Sequence, residues 1–480
     1  MERASTGVRR GVPGLDTVWV VIALAVPVIG ALAVSMSTVD LAYHVRAGND
    51  ILRDGLIRTD TYSFAGVGLP WVDQQWAAQV LFALSFRLGG WSALLLLDAA
   101  LSGLGVAFLY LACVASGTRA RTAAILSVAG YVVASNNLAM RPQLVAVPLF
   151  TATLWLLAGR RRHPARLWWI PAITVVWVNT HGSFALAPLL VGLAWLEDRR
   201  LRSEDARRTL LVAAVSLVVT LLNPFGFTAW TYIATISSNP TIRRWVSEWQ
   251  PTSIRTVSGA LFFPSVAAVV WYLARRKEPT PWTSLLRLGI FFALGLQAIR
   301  GVVWWGFAAP VIVAELLAEG TTPQHERRTG SRVLNLAVVG ALVFAIVVML
   351  PFWRGTDPVS GSPKILIQAP QTLAEAVQGG VPPGARLWVS QVWGSYFEFA
   401  VPRDRIFVDS RIEVYPDAVW NDYMNASNAG AGWQVILSRW NVDAVILSSE
   451  QSGALLQAMR GDPGWRLVLE TDQGAVFVPA

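Results

Sequence analysis

Charge is scarce in this sequence. Asp, Glu, Lys and Arg make up 14% of its 480 residues, against about 25% in soluble globular domains, so the chain cannot cover itself with water-facing groups. A single cysteine, Cys113, set in an apolar run, excludes an intrachain disulfide. There is no His pair at helical spacing and no close Cys pair, so the usual metal-ligand spacings are missing. No internal repeat of fixed period is found either. What is abundant is apolar: 54% hydrophobic residues and 23 Trp, with a mean hydropathy of +0.47. Apolar runs of about 18 residues or more recur along the chain, the length that crosses a ~30 Å hydrocarbon core. Tryptophan in such numbers suits membrane–water interfaces.

The net charge of +9 is not a nucleic-acid footprint, because the cations sit in short clusters between apolar runs. They are Arg9 and Arg10; Arg119 and Arg121; Arg160, Arg161, Arg162 and Arg166; Arg199, Arg200, Arg202, Arg207 and Arg208; Arg275, Arg276 and Lys277; Arg327, Arg328 and Arg332. That spacing follows the positive-inside rule and predicts cytoplasmic links at these points. From residue 353 onward the balance reverses, with 9 Lys/Arg against 13 Asp/Glu, a net of −4.

The first span is expected over residues 17–37. It reads as an uncleaved anchor and not as a signal peptide, because cleavage after its small-residue "ALA" would cut inside the span. It exits into a long outer loop, residues 38–75, which begins as a short helix to about Arg53 and ends in a Gly-rich turn and Pro70. Residues 76–88 are too short to span and suit a helix lying in the interface, broken by Gly89 and Gly90. Spans follow at 91–115, 122–138 and 142–158. Residues 167–198 carry basic clusters at both ends, which predicts a hairpin of two short helices turning near "NTHGS" (179–183). Polar backbone at that depth is tolerated only when buried in protein or facing a wet cavity. Further spans are expected near 209–222, 256–274, 283–299, 302–318 and 333–352; the apolar run 225–238 must stay near the outer face or re-enter, because residues 239–255 have to lie outside for the later count. The expected fold is a polytopic α-helical membrane protein of about ten to twelve hydrophobic helices, with residues 1–352 forming the membrane domain. Span parity leaves the N-terminus cytoplasmic and residues 353–480 outside the cell membrane. In that tail "RLWVS", "RIFVDSR", "VDAVILSS", "WRLVLE" and "GAVFVPA" read as strands and "GALLQAMR" as a helix, a small α/β domain. The tail shows no Gly-rich phosphate loop, no metal-ligand spacing and no nucleophile motif.

Asp40 stands at the mouth of the first span, where a solvated helix end is the simplest reading. Its company argues for more: His44 one turn later, then Asp60 and Asp73, flanked by Trp71 and Trp76. The stretch "DLAYHVRAGNDILRDGLIRTDTYSF", followed by "PWVDQQW", a surface helix and "LGG", resembles the GT-C superfamily of membrane glycosyltransferases, which includes protein O-mannosyltransferases and aminoarabinose transferases. The order of parts is similar too: a long first outer loop, a membrane-parallel helix, many spans and an outer C-terminal domain. The resemblance implies a sugar transferred from a polyprenyl-phosphate donor in the bilayer to a glycan, lipid or protein acceptor outside the cytoplasm. It also implies that Asp40 is the general base. A polyprenyl phosphate leaves without help from an acid, whereas the attacking hydroxyl must lose its proton; a glycosidase, with its poor leaving group, needs a second carboxyl group.

The departing phosphate needs a cation near the outer face. Arg300 in "LQAIRGVVWW" and Arg141 in "LAMRPQL" occupy outer links, where a guanidinium that snorkels at a helix end is the competing reading. His181, in the turn of the short hairpin, is either a satisfied core histidine or a substrate contact. His44 could orient Asp40, bind phosphate or serve packing alone. Glu248 in "VSEWQP" is a candidate for acceptor contact or a solvated acid. Asp73 and Asp60 are candidate second carboxylates, and Asp60 also suits a turn beside Thr59 and Thr61. No cofactor is expected. Some relatives with two acidic residues hold a divalent cation, so Asp40 with Asp73 leaves that open. A transporter or flippase is the alternative, but it predicts pseudo-symmetric repeats and a site near the bilayer midplane. An O-antigen-ligase or polymerase-like protein would place its large functional loop late in the chain. A non-catalytic envelope protein would need none of these polar residues.

Overall fold

A computed structural model describes residues 14–319 and 331–480; the basic pairs Arg9/Arg10 and Arg327/Arg328 lie outside the described residues. Leu15–Ala33 (α1) is an apolar helix that stops at the extended Val34, short of the predicted end at residue 37. The tail causes this. Met36–Ser37 (β1) pairs in parallel with Leu366–Ile367 (β2), and the Thr38 hydroxyl donates to the Gln368 carbonyl at 2.6 Å. The backbone groups that a longer helix would satisfy are satisfied across the chain instead. Thr38–Asp54 (α2) starts immediately, with Ser37 as its N-cap accepting from the Val39 N–H. It ends at Gly55, whose φ of 90° suits a residue without Cβ.

Trp76–Ala115 (α3) is continuous in hydrogen bonding but leaves helical geometry at Gly89 and Gly90. This gives the short arm and the longer arm expected from sequence. Ala120–Ser135 (α4) and Pro142–Ala158 (α5) follow, then the hairpin Trp169–Val178 (α6) and Leu186–Arg200 (α7). Ala206–Val218 (α8), Thr228–Ser238 (α9), Pro240–Trp245 (α10), Val257–Arg275 (α11), Trp282–Gln297 (α12), Val302–Ala318 (α13) and Arg332–Val348 (α14) complete the helical part. Among the described residues four helical segments are long and apolar enough to cross a bilayer: 15–33, 76–115, 257–275 and 299–318. Shorter apolar helices accompany them at 120–135, 142–158, 282–297 and 332–348. The chain is thus a polytopic helical membrane protein. Helices α4 and α13 cross at Gly130 and Gly306, where a Cβ on Gly130 would come within 2.3 Å of the Gly306 carbonyl oxygen. Such small-residue contacts let membrane helices approach closely.

The two ends of the bundle differ in charge chemistry. At one end Arg160 pairs with Asp198 at 3.0 Å, Arg287 with Glu315 at 2.6 Å, and Arg276 with Glu319 at 2.8 Å. These are the links that the sequence marks as basic. Helix α5 ends there and begins at Arg141, while α13 begins just after Arg300. Both candidate arginines therefore stand at the opposite end, with the loop and the tail.

The tail forms Gln371–Gly380 (α15), Arg386–Val389 (β3), Gln391–Ala400 (α16), Arg405–Ile406 (β4), Asp417–Ser427 (α17), Trp433–Arg439 (α18), Ala444–Ser448 (β5), Gly453–Arg460 (α19), Trp465–Thr471 (β6) and Gly474–Pro479 (β7). Its five-stranded sheet runs β4-β3-β5-β7-β6, parallel across β4, β3 and β5 and antiparallel from β5 onward. The predicted strand "RIFVDSR" is strand only at Arg405–Ile406; the rest turns away. The tail is no appendage. Tyr43, Tyr62, Phe64 and Trp71 of the outer loop share one apolar cluster with Trp388, Phe407 and Tyr423 of the tail.

Candidate active site

Local sequence fixes where each functional side chain emerges. Asp40 lies in the first turn of α2, held by the Ser37 cap. Arg141 precedes Pro142 and is therefore extended, with φ −143° and ψ 164°, as the proline ring requires of its predecessor. Glu248 sits in the short turn Ser247–Trp249 and Arg300 in the turn Ile299–Gly301. The Ile299 N–H donates to the Gln250 carbonyl at 3.1 Å, which ties these two turns together. His181 is the extended residue between α6 and the turn Gly182–Ala185.

These placements bring Asp40, His44, Arg141, His181, Glu248 and Arg300 to the walls of one cavity of about 140 Å³. Arg141 is the hub. Its Nε donates to Asp40 Oδ2 at 2.9 Å and its second nitrogen to Glu248. Arg300 differs: among the described residues it has no carboxylate partner, and its guanidinium lies over the Trp249 ring, 4.8 Å from the centroid. His181 Nδ1 accepts from the Ser183 N–H at 3.1 Å and meets the Ser183 hydroxyl at 2.7 Å, which leaves Nε2 to carry the proton. Burial, with Arg141 and Arg411 nearby, lowers the His44 pKa to about 3, so this ring is neutral near pH 7. Its Nδ1 is buried without a hydrogen-bond partner among the described residues.

Asp60 and Asp73 do not line the cavity. Asp60 is fully buried and pairs with Arg411 at 2.9 Å. Its carboxylate also accepts from the Tyr62 N–H at 3.1 Å, so the turn-forming reading and a structural ion pair both describe it. Asp73 accepts from Gln79 at 2.7 Å, and its Oδ2 has no hydrogen-bond partner among the described residues. Burial raises its pKa to about 8. No group of three or more His, Cys, Asp or Glu able to hold a metal ion is found among the described residues.

The sequence reading drew no site residue from the tail, and the structure corrects that. Ser410, Arg411, Ile412 and Glu413 line the same cavity. Arg411 is fully buried and gathers Asp60, Asp409 and Glu398, with its guanidinium 4.6 Å from the Trp71 ring centroid. Tyr415 donates to Asp409 at 2.8 Å. Glu413 accepts from the Tyr232 hydroxyl at 2.9 Å. The signal in the sequence was "VDSRIE": three charged residues directly after an apolar strand are costly to bury unless they are paired.

A second cavity, of about 300 Å³, adjoins the first and shares Gln75, Gln143, His181, Tyr232, Trp249 and Arg300 with it. Leu186, Ile233, Leu294 and Trp304 complete its largely apolar wall. Arg300 thus stands where a polar chamber meets an apolar one.

The chain is thus a helical bundle with a polar chamber between its first long loop and a folded tail. No protein-family model matches the chain, and no curated protein sequence matches it. Solved structures do. The apo oligosaccharyltransferase of Archaeoglobus fulgidus aligns with a TM-score of 0.54 at 12% identity over 93% of this chain and 73% of that one. ArnT from Cupriavidus metallidurans, also apo, aligns at 0.50 and 14% identity over 95% and 96%. A mutant of the arabinofuranosyltransferase AftD from mycobacteria aligns at 0.56 and 15% identity over 97% of this chain and 42% of its own length. At these identities the likeness is one of fold. The chain has the GT-C fold.

Proposed function

We propose that this protein is a membrane glycosyltransferase that moves a sugar from a polyprenyl-phosphate donor to an acceptor outside the cytoplasm. The observation that carries this reading is the junction of the two cavities. Arg300 offers a guanidinium without a carboxylate partner at the boundary between an apolar chamber and the chamber that contains Asp40. A lipid-linked phosphate has that polarity: an apolar chain on one side, a sugar on the other and the anion between them. Developing charge on the departing phosphate is stabilised by a cation already in position.

Asp40 is the base in this reading. Arg141 fixes one of its oxygens and leaves Oδ1 without a hydrogen bond among the described residues, available to take the proton of the attacking hydroxyl. Glu248, on the other side of Arg141, completes a clamp that holds the guanidinium still. Arg141 then positions the base, and Arg300 remains for the phosphate. His181 and His44 supply neutral polar contacts. The chamber lies at the loop-and-tail end of the bundle, away from the basic links, which favours transfer at the outer face over transport through a midplane site. It also supports a cytoplasmic N-terminus and a tail outside the membrane.

The test is transfer from a radiolabelled polyprenyl-phosphate sugar in membranes containing wild type or Asp40→Asn. The amide keeps the shape and cannot accept the proton, so turnover should fall about 10²–10⁴-fold with donor binding retained. Near-normal turnover in Asp40→Asn would sink the assignment. Loss in Asp73→Asn alone would move the base to the other carboxylate of the loop.

A further inference from the structure

Among the described residues the cavity contains one guanidinium without a carboxylate partner, Arg300, and one carboxyl group without a guanidinium salt bridge, Glu413. The other two carboxylates, Asp40 and Glu248, both sit on Arg141. We propose that Glu413 and Tyr232 form the recognition site for the sugar of the lipid-linked donor, binding its ring hydroxyls beside Asp40. This rests on the glycosyltransferase reading above and assigns it a substrate-selecting pair that comes from the tail and from α9.

Four observations carry the assignment. The Tyr232 hydroxyl donates to Glu413 Oε1 at 2.9 Å, so the pair is fixed in relation to itself. Burial raises the Glu413 pKa, and its carboxyl oxygens can accept from sugar hydroxyls. Tyr43 lines the same chamber, and its hydroxyl has no hydrogen-bond partner among the described residues. Finally, the segment is rigid for a stated reason. Two residues before Glu413, Arg411 is held by Asp60 of the outer loop and by Asp409 and Glu398 of the tail. A recognition group mounted on such a strut meets its ligand without first having to be ordered. Glu413 has no salt-bridge partner among the described residues, and the partial burial of such a carboxyl group is costly unless something satisfies it.

The experiment uses the full chain in lipid nanodiscs and two kinds of probe: undecaprenyl phosphate alone, and undecaprenyl phosphate carrying one neutral sugar, in one case a pentose and in another a hexose. In wild type the sugar should add affinity for at least one of the sugar-bearing probes. In Glu413→Gln and Tyr232→Phe that gain should shrink about tenfold, the worth of a buried hydrogen bond, while undecaprenyl phosphate alone binds as in wild type. Tyr232→Phe keeps the ring and guards against a folding defect, which a melting curve also monitors. Retention of the full gain in both variants, or a parallel loss for both kinds of probe, overturns the assignment. So does a wild type that binds undecaprenyl phosphate but gains nothing from any sugar. A wild type that does not bind undecaprenyl phosphate at all overturns the glycosyltransferase reading itself, and the proposal with it.

Discussion

Arg141 holds Asp40 across 2.9 Å from Nε to Oδ2, and under the proposed function this pairing casts Arg141 as a positioning residue. The same guanidinium reaches Glu248, so the clamp spans two links that are more than a hundred positions apart in the chain. Arg141→Ala should lower kcat about 100-fold by freeing Asp40 to rotate, since misplacement by an ångström costs that much. Arg141→Lys should recover part of it, because an ammonium keeps the charge but not the forked geometry. Binding of undecaprenyl phosphate should be unchanged in both. Equal loss of donor binding and turnover would instead assign Arg141 to the phosphate.

Arg411 tests the link between loop and tail. It is fully buried among Asp60, Asp409 and Glu398. Removing one partner of a buried ion cluster leaves charges uncompensated and costs about 3–5 kcal/mol. Arg411→Ala should therefore lose its folded tail, seen as a drop in melting temperature and as protease cleavage within residues 353–480. Asp60→Asn removes one of three acids around a single cation and should be much milder. An Arg411→Ala protein that melts like wild type would show that the cluster does not hold the two parts together.

Asp73 sets a pH dependence. Burial raises its pKa in the folded chain to about 8, whereas an unfolded aspartate titrates near 3.9. Between those values the folded state keeps a proton that the unfolded state has lost, so stability falls as pH rises through this window and levels off above about 8. Asp73→Asn cannot ionise and should lose this component. The melting temperature of wild type should decline more than that of Asp73→Asn between pH 5 and about pH 9. Parallel curves for the two proteins would mean that Asp73 is ionised in the fold.

The membrane part was legible because hydrophobic length and basic links are local signals. The break at Gly89 and Gly90 and the hairpin turning near His181 could be read directly from the residues. The strands near 386, 444, 465 and 474 were legible for the same reason. Two things were not. The end of α1 at Ala33 depends on Met36 and Ser37 pairing with residues 366 and 367, a contact that no local pattern reveals. The tail's share of the site depends on Arg411 meeting Asp60 across 351 positions of chain. Asp40, Arg141, Glu248 and Arg300 could be singled out one at a time as polar residues at the ends of apolar runs. That Arg141 would be engaged by two carboxylates while Arg300 stayed without one is a property of packing.

Arg300 carries the last prediction. Its guanidinium has aromatic cover from Trp249 at 4.8 Å and no carboxylate partner among the described residues, and it lines both chambers. A cation in that position binds an anion from either side without first having to break an ion pair. Arg300→Ala should weaken undecaprenyl phosphate binding about tenfold or more, the range of a charge-assisted hydrogen bond. Arg300→Lys should restore part of the binding but less of the turnover, because a forked donor matches two phosphate oxygens and a point charge does not. Binding should also weaken with salt less steeply in Arg300→Ala than in wild type, since one cation fewer is being screened. Trp249→Leu provides the control for cover: it should loosen Arg300 and give a smaller loss of the same kind. If Arg300→Ala binds undecaprenyl phosphate like wild type while Arg141→Ala does not, the roles of the two arginines are exchanged. Asp40 would then share its partner with the phosphate.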